Sequence, residues 1–310
     1  MNDDYLWDRS GPPDPEIERL ERTLAPLRYR HRAALVQPAH STGMRWWGVA
    51  AAAAAIAAAA LLAVRTPPPG LTAWQVEGTQ APLRAGQTVR TADGSSVTLR
   101  SDDLGEIELG PDSELRASSD RRVTLDRGQL HARIWAPPRE FVLDTPSARA
   151  VDLGCEYTIR VDPNGDGLLE VSMGWVAFHF DDRESFIPAG AACVTYQRRG
   201  PGIPFYKDAP ETLRQPLAAF ERGDSAALNA VLAAARPADA ITVWHLLTRV
   251  PVADRGRVFD RFRELVALPK EVRREDVVRR DAHAIDQCWD ALNLENTEWW
   301  RGWERRWGPS

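Results

Sequence analysis

Between Trp46 and Val64 the chain runs for 19 residues without a charged side chain, WWGVAAAAAAIAAAALLAV. As a helix rising 1.5 Å per residue, such a run is about 28 Å long, close to the hydrocarbon thickness of a bilayer. Alanine is barely apolar, so insertion leans on Trp46, Trp47, Val49, Ile56, Leu61, Leu62 and Val64. Arg45 and the Trp46–Trp47 pair suit one interface and Arg65 the other. Pro67-Pro68-Pro69-Gly70 then stops any helix. The run predicts one transmembrane helix over 46–64. A soluble Ala-rich helix is the alternative. A signal peptide fits less well, because about 45 residues precede the run, far more than a usual n-region. Arg28, Arg30, Arg32 and Arg45 precede the run, against Arg65 and Arg84 after it. That bias puts the N-terminus in the cytoplasm and everything beyond Val64 outside it, at a bacterial inner membrane with the bulk periplasmic.

The chain as a whole is globular in composition, with 44% hydrophobic and 27% charged residues. A net charge of −5 gives no reason to expect nucleic acid. Only Lys207 and Lys270 are lysines among 39 basic residues, so arginine richness is discounted as a functional signal.

Five segments follow: a cytoplasmic stub (1–45), the membrane helix (46–64), a linker (65–73), a β domain (74–207) and a helical domain (208–310). In the stub, Asp14-Pro15 opens a helix whose Ile17, Leu20 and Leu24 form one apolar stripe. Such a helix cannot bury its stripe alone. It either docks on a cytoplasmic partner or lies near the membrane.

From Trp74 to Tyr206 the hydrophobic period is two, as in Ser96–Arg100, Glu106–Leu109 and Arg122–Leu125. Asp93-Gly94, Pro111-Asp112, Asn164-Gly165 and Asp166-Gly167 supply the turns. This predicts a β-sandwich or roll. From Glu211 onward the period is helical. Leu228, Val231, Leu232 and Ala235 make one stripe, Val258, Phe259, Phe262, Leu265 and Val266 a second, and Ile285, Cys288, Trp289 and Leu292 a third. Asp224, Asp239, Asp254 and Asp281 read as N-caps, and Pro237, Pro251 and Pro269 as segment ends. In the tail, Trp299, Trp303 and Trp307 fall at i, i+4, i+8 on one helical face. They pack back on the helices, dock on a partner, or touch a membrane.

The order of short motifs in the β region resembles the FecR-type periplasmic domain of transmembrane regulators of extracytoplasmic sigma factors. The pieces are Leu83–Val89, Gly110–Leu115, Val123–Leu130, Phe141–Pro146, Val151–Ile159, Val171–Val176 and Ile187–Gly190. Within them Gly128, Gly154, Gly174 and Gly190 read as turn glycines with positive φ. The resemblance implies a mainly β FecR-like fold beside an all-α C-terminal domain. It also implies a non-enzymatic signal transducer or anti-sigma-type regulator, with a protein partner outside the cytoplasm and a sigma factor as candidate partner within. Two departures stand out. The stub is shorter than the family's usual cytoplasmic domain, and Gly154-Cys155 replaces the usual Gly-Thr. An unrelated adhesin-type or carbohydrate-binding sandwich stays open for the β domain, and an envelope scaffold without a sigma factor stays open for the function.

No catalytic, cofactor or metal residues are assigned. Asp162-Pro163-Asn164-Gly165-Asp166-Gly167 begins like a calcium loop. Its twelfth position is Met173, however, and strands flank it, so a tight β-turn explains it better. His31, His40, His131, His179, His245 and His283 lack ligand or triad spacing. Cys155 and Cys193, each at the start of a strand in an exported domain, are expected to form a disulfide. It would enclose 37 residues and stabilise by roughly 3–4 kcal/mol. Two buried free thiols are the alternative, and Cys288 reads as a core thiol.

Overall fold

The computed structural model describes residues 74–77, 82–181 and 183–294, all in one compact unit, Pro68–Ser310. The membrane run 46–64, the stripe Ile17, Leu20 and Leu24, and the tail rings Trp299, Trp303 and Trp307 lie outside the described residues. Among the described residues no helix is long and apolar enough to cross a membrane.

The strands are β1 (Trp74–Val76), β2 (Pro82–Leu83), β3 (Thr88–Arg90), β4 (Val97–Ser101), β5 (Gly105–Leu109), β6 (Glu114–Ser119), β7 (Arg122–Ile134) and β8 (Val142–Asp144). They continue with β9 (Arg149–Asp152), β10 (Glu156–Val161), β11 (Gly167–Met173), β12 (Trp175–Phe180), β13 (Arg183–Pro188), β14 (Ala191–Tyr196), β15 (Gly200–Pro201) and β16 (Phe205–Tyr206). The helices are α1 (Glu211–Glu221), α2 (Leu228–Ala234), α3 (Ala240–Arg249), α4 (Val252–Leu265), α5 (Arg274–Val278) and α6 (Ala282–Ala291).

The strands form two layers that share β7. In one, the order is β2-β1-β4-β5-β7-β10-β11-β14, with β15 and β16 on the far edge of β14. In the other it is β3-β6-β7-β8-β9-β12-β13, antiparallel except for β7 and β8. The N-terminal half of β7 pairs with β6 and β8, its C-terminal half with β5 and β10. The switch falls at a bulge, where Glu114 faces Arg127 but Leu115 faces Leu125. One extra residue flips the inward parity, so Val123 and Leu125 are buried before it and Leu130, Ala132 and Ile134 after it. Gly128 turns this corner at φ +93°, and a Cβ there would sit 2.1 Å from Ser113 Oγ, so only glycine fits. Between the layers lies an apolar core that includes Trp74, Ile107, Phe141, Tyr157, Val176 and Phe178, with Trp74 edge-on to Phe141 at 5.7 Å.

β12 reads as a near-continuous apolar run because both its faces are covered. Val176 and Phe178 enter the core between the sheets, whereas Trp175 and Ala177 join Phe186 in a second core with the helices. The three helical stripes contribute to that second core, beside Leu213 of α1 and Trp244 of α3. Leu228, Val231 and Leu232 come from α2, Val258, Phe259 and Phe262 from α4, and Ile285, Cys288 and Trp289 from α6.

Three of the four expected caps, Asp224, Asp239 and Asp281, hold N-cap positions, and two of them make the capping bond. Asp281 accepts from Ala284 N at 2.9 Å, and Asp224 accepts from Ala226 N at 3.1 Å at the turn before α2. Asp239 instead pairs with Arg236 at 2.8 Å, and Asp254 lies inside the first turn of α4, which Pro251 opens. Pro237 likewise opens a 3₁₀ turn. A proline without an N–H suits a helix start, so these two begin segments and do not close them.

Candidate functional site

Helix α3 is apolar almost throughout, with Ile241, Val243, Trp244, Leu246 and Leu247 buried, yet it carries His245 in their midst. The ring is the link between the helices and the edge strand β13. Its Nδ1 lies 2.9 Å from Ile241 O and donates to it, which leaves Nε2 to accept the Phe186 N–H at 3.1 Å. Burial drives the ring down to a pKa of about 3, so it is neutral, as this acceptor role requires. One turn on, Arg249 donates to Glu184 O at 2.8 Å and to Ser185 Oγ at 2.9 Å. Thr242 Oγ1 donates to Pro204 O at 2.8 Å. An edge that would otherwise offer open backbone groups is thus closed by a helix. Above it Trp289 of α6 packs between Trp244 (4.6 Å), Phe186 (5.3 Å) and Trp175 (5.8 Å).

Beside this seam lies a polar cavity of 160 Å³, lined in part by Arg183, Tyr196, Arg199, Glu221 and Arg249. Glu221, the last residue of α1, accepts the Ile203 N–H on Oε1 and the Tyr196 hydroxyl on Oε2, the latter at 3.1 Å. Arg199 lies over the Tyr196 ring at 4.3 Å and donates to Glu221 O at 2.7 Å. Burial raises the Glu221 carboxyl to a pKa of about 7. Its two hydrogen bonds, Arg249 and Arg199 oppose that rise. Tyr196 is pushed above its ordinary value by burial and by Glu221. This arrangement clamps α1 onto β14 and β15. It leaves one titratable carboxyl on the wall of the cavity.

A second buried carboxyl closes the turn between β9 and β10. Asp152 Oδ1 accepts from Gly154 N at 2.7 Å, and the Cys155 thiol donates to Oδ2. Burial raises Asp152 to about 7, with both hydrogen bonds opposing. The expected Cys155–Cys193 disulfide is corrected here, since both are free buried thiols. Cys193 faces Leu169 on β11, while Glu156, next to Cys155, faces Met173. The two cysteines are thus two strands apart, about 10 Å, and four residues offset along them, about 13 Å. A disulfide needs Cα atoms within about 7 Å.

The histidines of the β region stand in structural pairs. His131 lies on a solvated sheet face, with Nδ1 3.0 Å from Thr158 Oγ1 and Nε2 3.2 Å from Glu156. His179 lies 3.4 Å from Glu184, and burial lowers it to about 4. Among the described residues no group of His, Cys, Asp and Glu could hold a metal ion. The Asp162–Gly167 segment is the turn of the β10–β11 hairpin, with Gly165 N donating to Asp162 O at 2.9 Å.

The ordered motifs quoted from the sequence fall on consecutive pieces of this sandwich. Leu83–Val89 joins β2 to β3, Gly110–Leu115 carries the turn into β6, Val123–Leu130 holds the bulge, and Val171–Val176 joins β11 to β12. Gly128, Gly154, Gly174 and Gly190 all have positive φ. At Gly174 a Cβ would meet Gly154 O at 1.9 Å, so the β11–β12 turn has no room for a side chain there. Residues 87–177 match the family model described as FecR protein. The FecR match runs from β3 through the middle of β12. It contains the Asp152–Cys155 turn, and it ends before His245, Glu221 and the helices. Two crystal structures of a candidate anti-sigma factor from Parabacteroides distasonis are also similar, at 15% identity and TM-score 0.35. The similarity covers 44% of this chain and 65% of that one, so less than two thirds of that protein is spanned. No match was found among curated proteins.

Glu221, Asp152 and the His245–Arg249 seam were not singled out in the sequence. A signal existed for two of them. Glu221 is an acidic residue at a helix C-terminus, against the helix dipole, and His245 is a lone polar ring inside an apolar helix.

Proposed function

We propose that this chain is a membrane-anchored FecR-domain regulator of the anti-sigma type, without catalytic activity or cofactor. In this reading the uncharged run 46–64 crosses the inner membrane with the N-terminus in the cytoplasm. The sandwich and its helices lie outside and meet an envelope protein. The helix couples that event to the stub, whose stripe Ile17, Leu20 and Leu24 holds a cytoplasmic regulator such as a sigma factor. The observation that carries the reading is the FecR match at 87–177, C-terminal to the uncharged run. The internal logic agrees with it, because the buried carboxyls and histidines described above are engaged in holding elements together. An envelope scaffold that ignores the stub is the competing reading.

Deleting residues 1–40 separates the two. The regulator reading expects loss of a transcriptional response while a phosphatase fused after Ser310 stays active, as export requires. An unchanged response with an active fusion would leave the scaffold. An inactive phosphatase fusion on the intact chain would refute the orientation itself.

A further inference from the structure

One groove of the molecule is open where the described chain stops. Its volume is 580 Å³, within the roughly 300–1,000 Å³ of ligand clefts. Its apolar wall is Tyr206 of β16, Ile241 of α3, and Leu292 and Leu294 just after α6, with Ala238 on the exposed rim. The last described residue, Leu294, is therefore part of the wall.

That chain is 16 residues long and carries Trp299, Trp300, Trp303 and Trp307. We infer that this groove is the docking site of the protein's own tryptophan-rich tail, residues 295–310. Three arguments single out this occupant. The first is reach. Trp299 is five residues beyond Leu294, and an extended chain spans about 17 Å in five residues, enough to cover the groove from its own wall. The second is chemistry. Four indoles in nine residues need apolar cover with polar groups near their N–H, and a wall of leucine, isoleucine and tyrosine with a polar rim supplies it. Asp208 stands on that rim, 3.4 Å from Arg236 but with its side chain still 75% exposed, so its carboxylate has room for a second arginine such as Arg301, Arg305 or Arg306. Lys207 on the same rim is turned to Glu170 at 3.6 Å, which offsets its repulsion of those arginines. The third is competition. A tethered segment acts at an effective concentration in the millimolar range, so a separate partner must bind tightly to displace it.

The test is hydrogen exchange on the full chain in nanodiscs of zwitterionic lipid. It compares the protein with W299A/W303A/W307A. Docking in cis predicts exchange about tenfold faster in the triple variant at the amides of 206–208 and 238–241, with 157–161 unchanged. Ala238→Arg, a change on the exposed rim that leaves the tail intact, should reproduce the effect. Equal exchange in the protein and the triple variant would overturn the inference. So would groove protection that grows with protein concentration, which would mean the tail of a second copy. Protection that appears only after adding anionic vesicles would overturn it as well. None of these readouts depends on the sigma-factor reading.

Discussion

At Glu221 a carboxyl group sits where both burial and the helix dipole disfavour its charge, and its folded pKa is about 7 against an ordinary 4.5. Between pH 4.5 and 7 the unfolded chain has lost this proton and the folded protein has not. The group therefore stabilises the fold below about pH 4.5 and loses that contribution as pH rises through 7. Asp152 behaves alike, from 3.8 to about 7. His245 and His179 act in the opposite direction. Their folded values of about 3 and about 4 lie below 6.5, so stability is lost as pH falls from 6.5. Glu221→Gln keeps an acceptor for Ile203 N–H without the buried charge. It should raise stability at pH 8 by about 1–3 kcal/mol, and the gain should fall to roughly a quarter of that by pH 5. Urea midpoints at the two pH values check this. An equal shift at both would mean that Gln acts through packing and not through charge.

Among the elements, β7 shows what a sequence reveals and what it hides. Its alternation is plain in Arg122-Val123-Thr124-Leu125 and again in Leu130–Ile134. The change of parity between them, at Asp126-Arg127-Gly128, is the written trace of the bulge. The helical stripes on α2, α4 and α6 are equally legible, since each follows from a 3.6-residue period. Which strands become neighbours is not written locally. β11 lies between β10 and β14 and holds Cys155 far from Cys193, a fact of sheet order that strand starts alone do not encode. What the sequence marks instead is Gly154-Cys155, where the thiol donates to the buried Asp152. Alkylation of the unfolded protein without reductant should label all three cysteines. Cys155→Thr should be tolerated, whereas Cys155→Ala, which leaves the buried carboxyl one donor short, should cost about 1–3 kcal/mol. A bridged pair by mass spectrometry would contradict the strand register. Because the register keeps the thiols apart in any compartment, their free state says nothing of location.

For the molecule as a whole, the question is whether residues 74–207 stand apart from residues 208–310. The change of hydrophobic period near Tyr206 suggests a boundary there, but β12 and β13 spend their second face on the helices. Trp175, Ala177 and Phe186 lie in the same core as Leu213, Trp244, Phe259 and Trp289. The continuous apolar run in β12 is the sequence sign of this double burial. Removing the helices would bare that face. It would also strip His245 and Arg249 from the edge of β13, leaving apolar surface beside unpaired backbone, the combination that promotes edge-to-edge aggregation. A fragment ending at Lys207 should therefore aggregate or bind a hydrophobic dye strongly. Pro68–Ser310 should stay monomeric and unfold in one transition. Replacing Phe186 with Ser in the short fragment should reduce its aggregation, while in the longer chain the same change should destabilise by about 3–5 kcal/mol, as large-to-small changes in a core do. If the short fragment is soluble, monomeric and cooperative, the sandwich is an independent domain and the helices are an addition to it. If it fails as expected, the sandwich and the helices fold as one cooperative unit through their shared core.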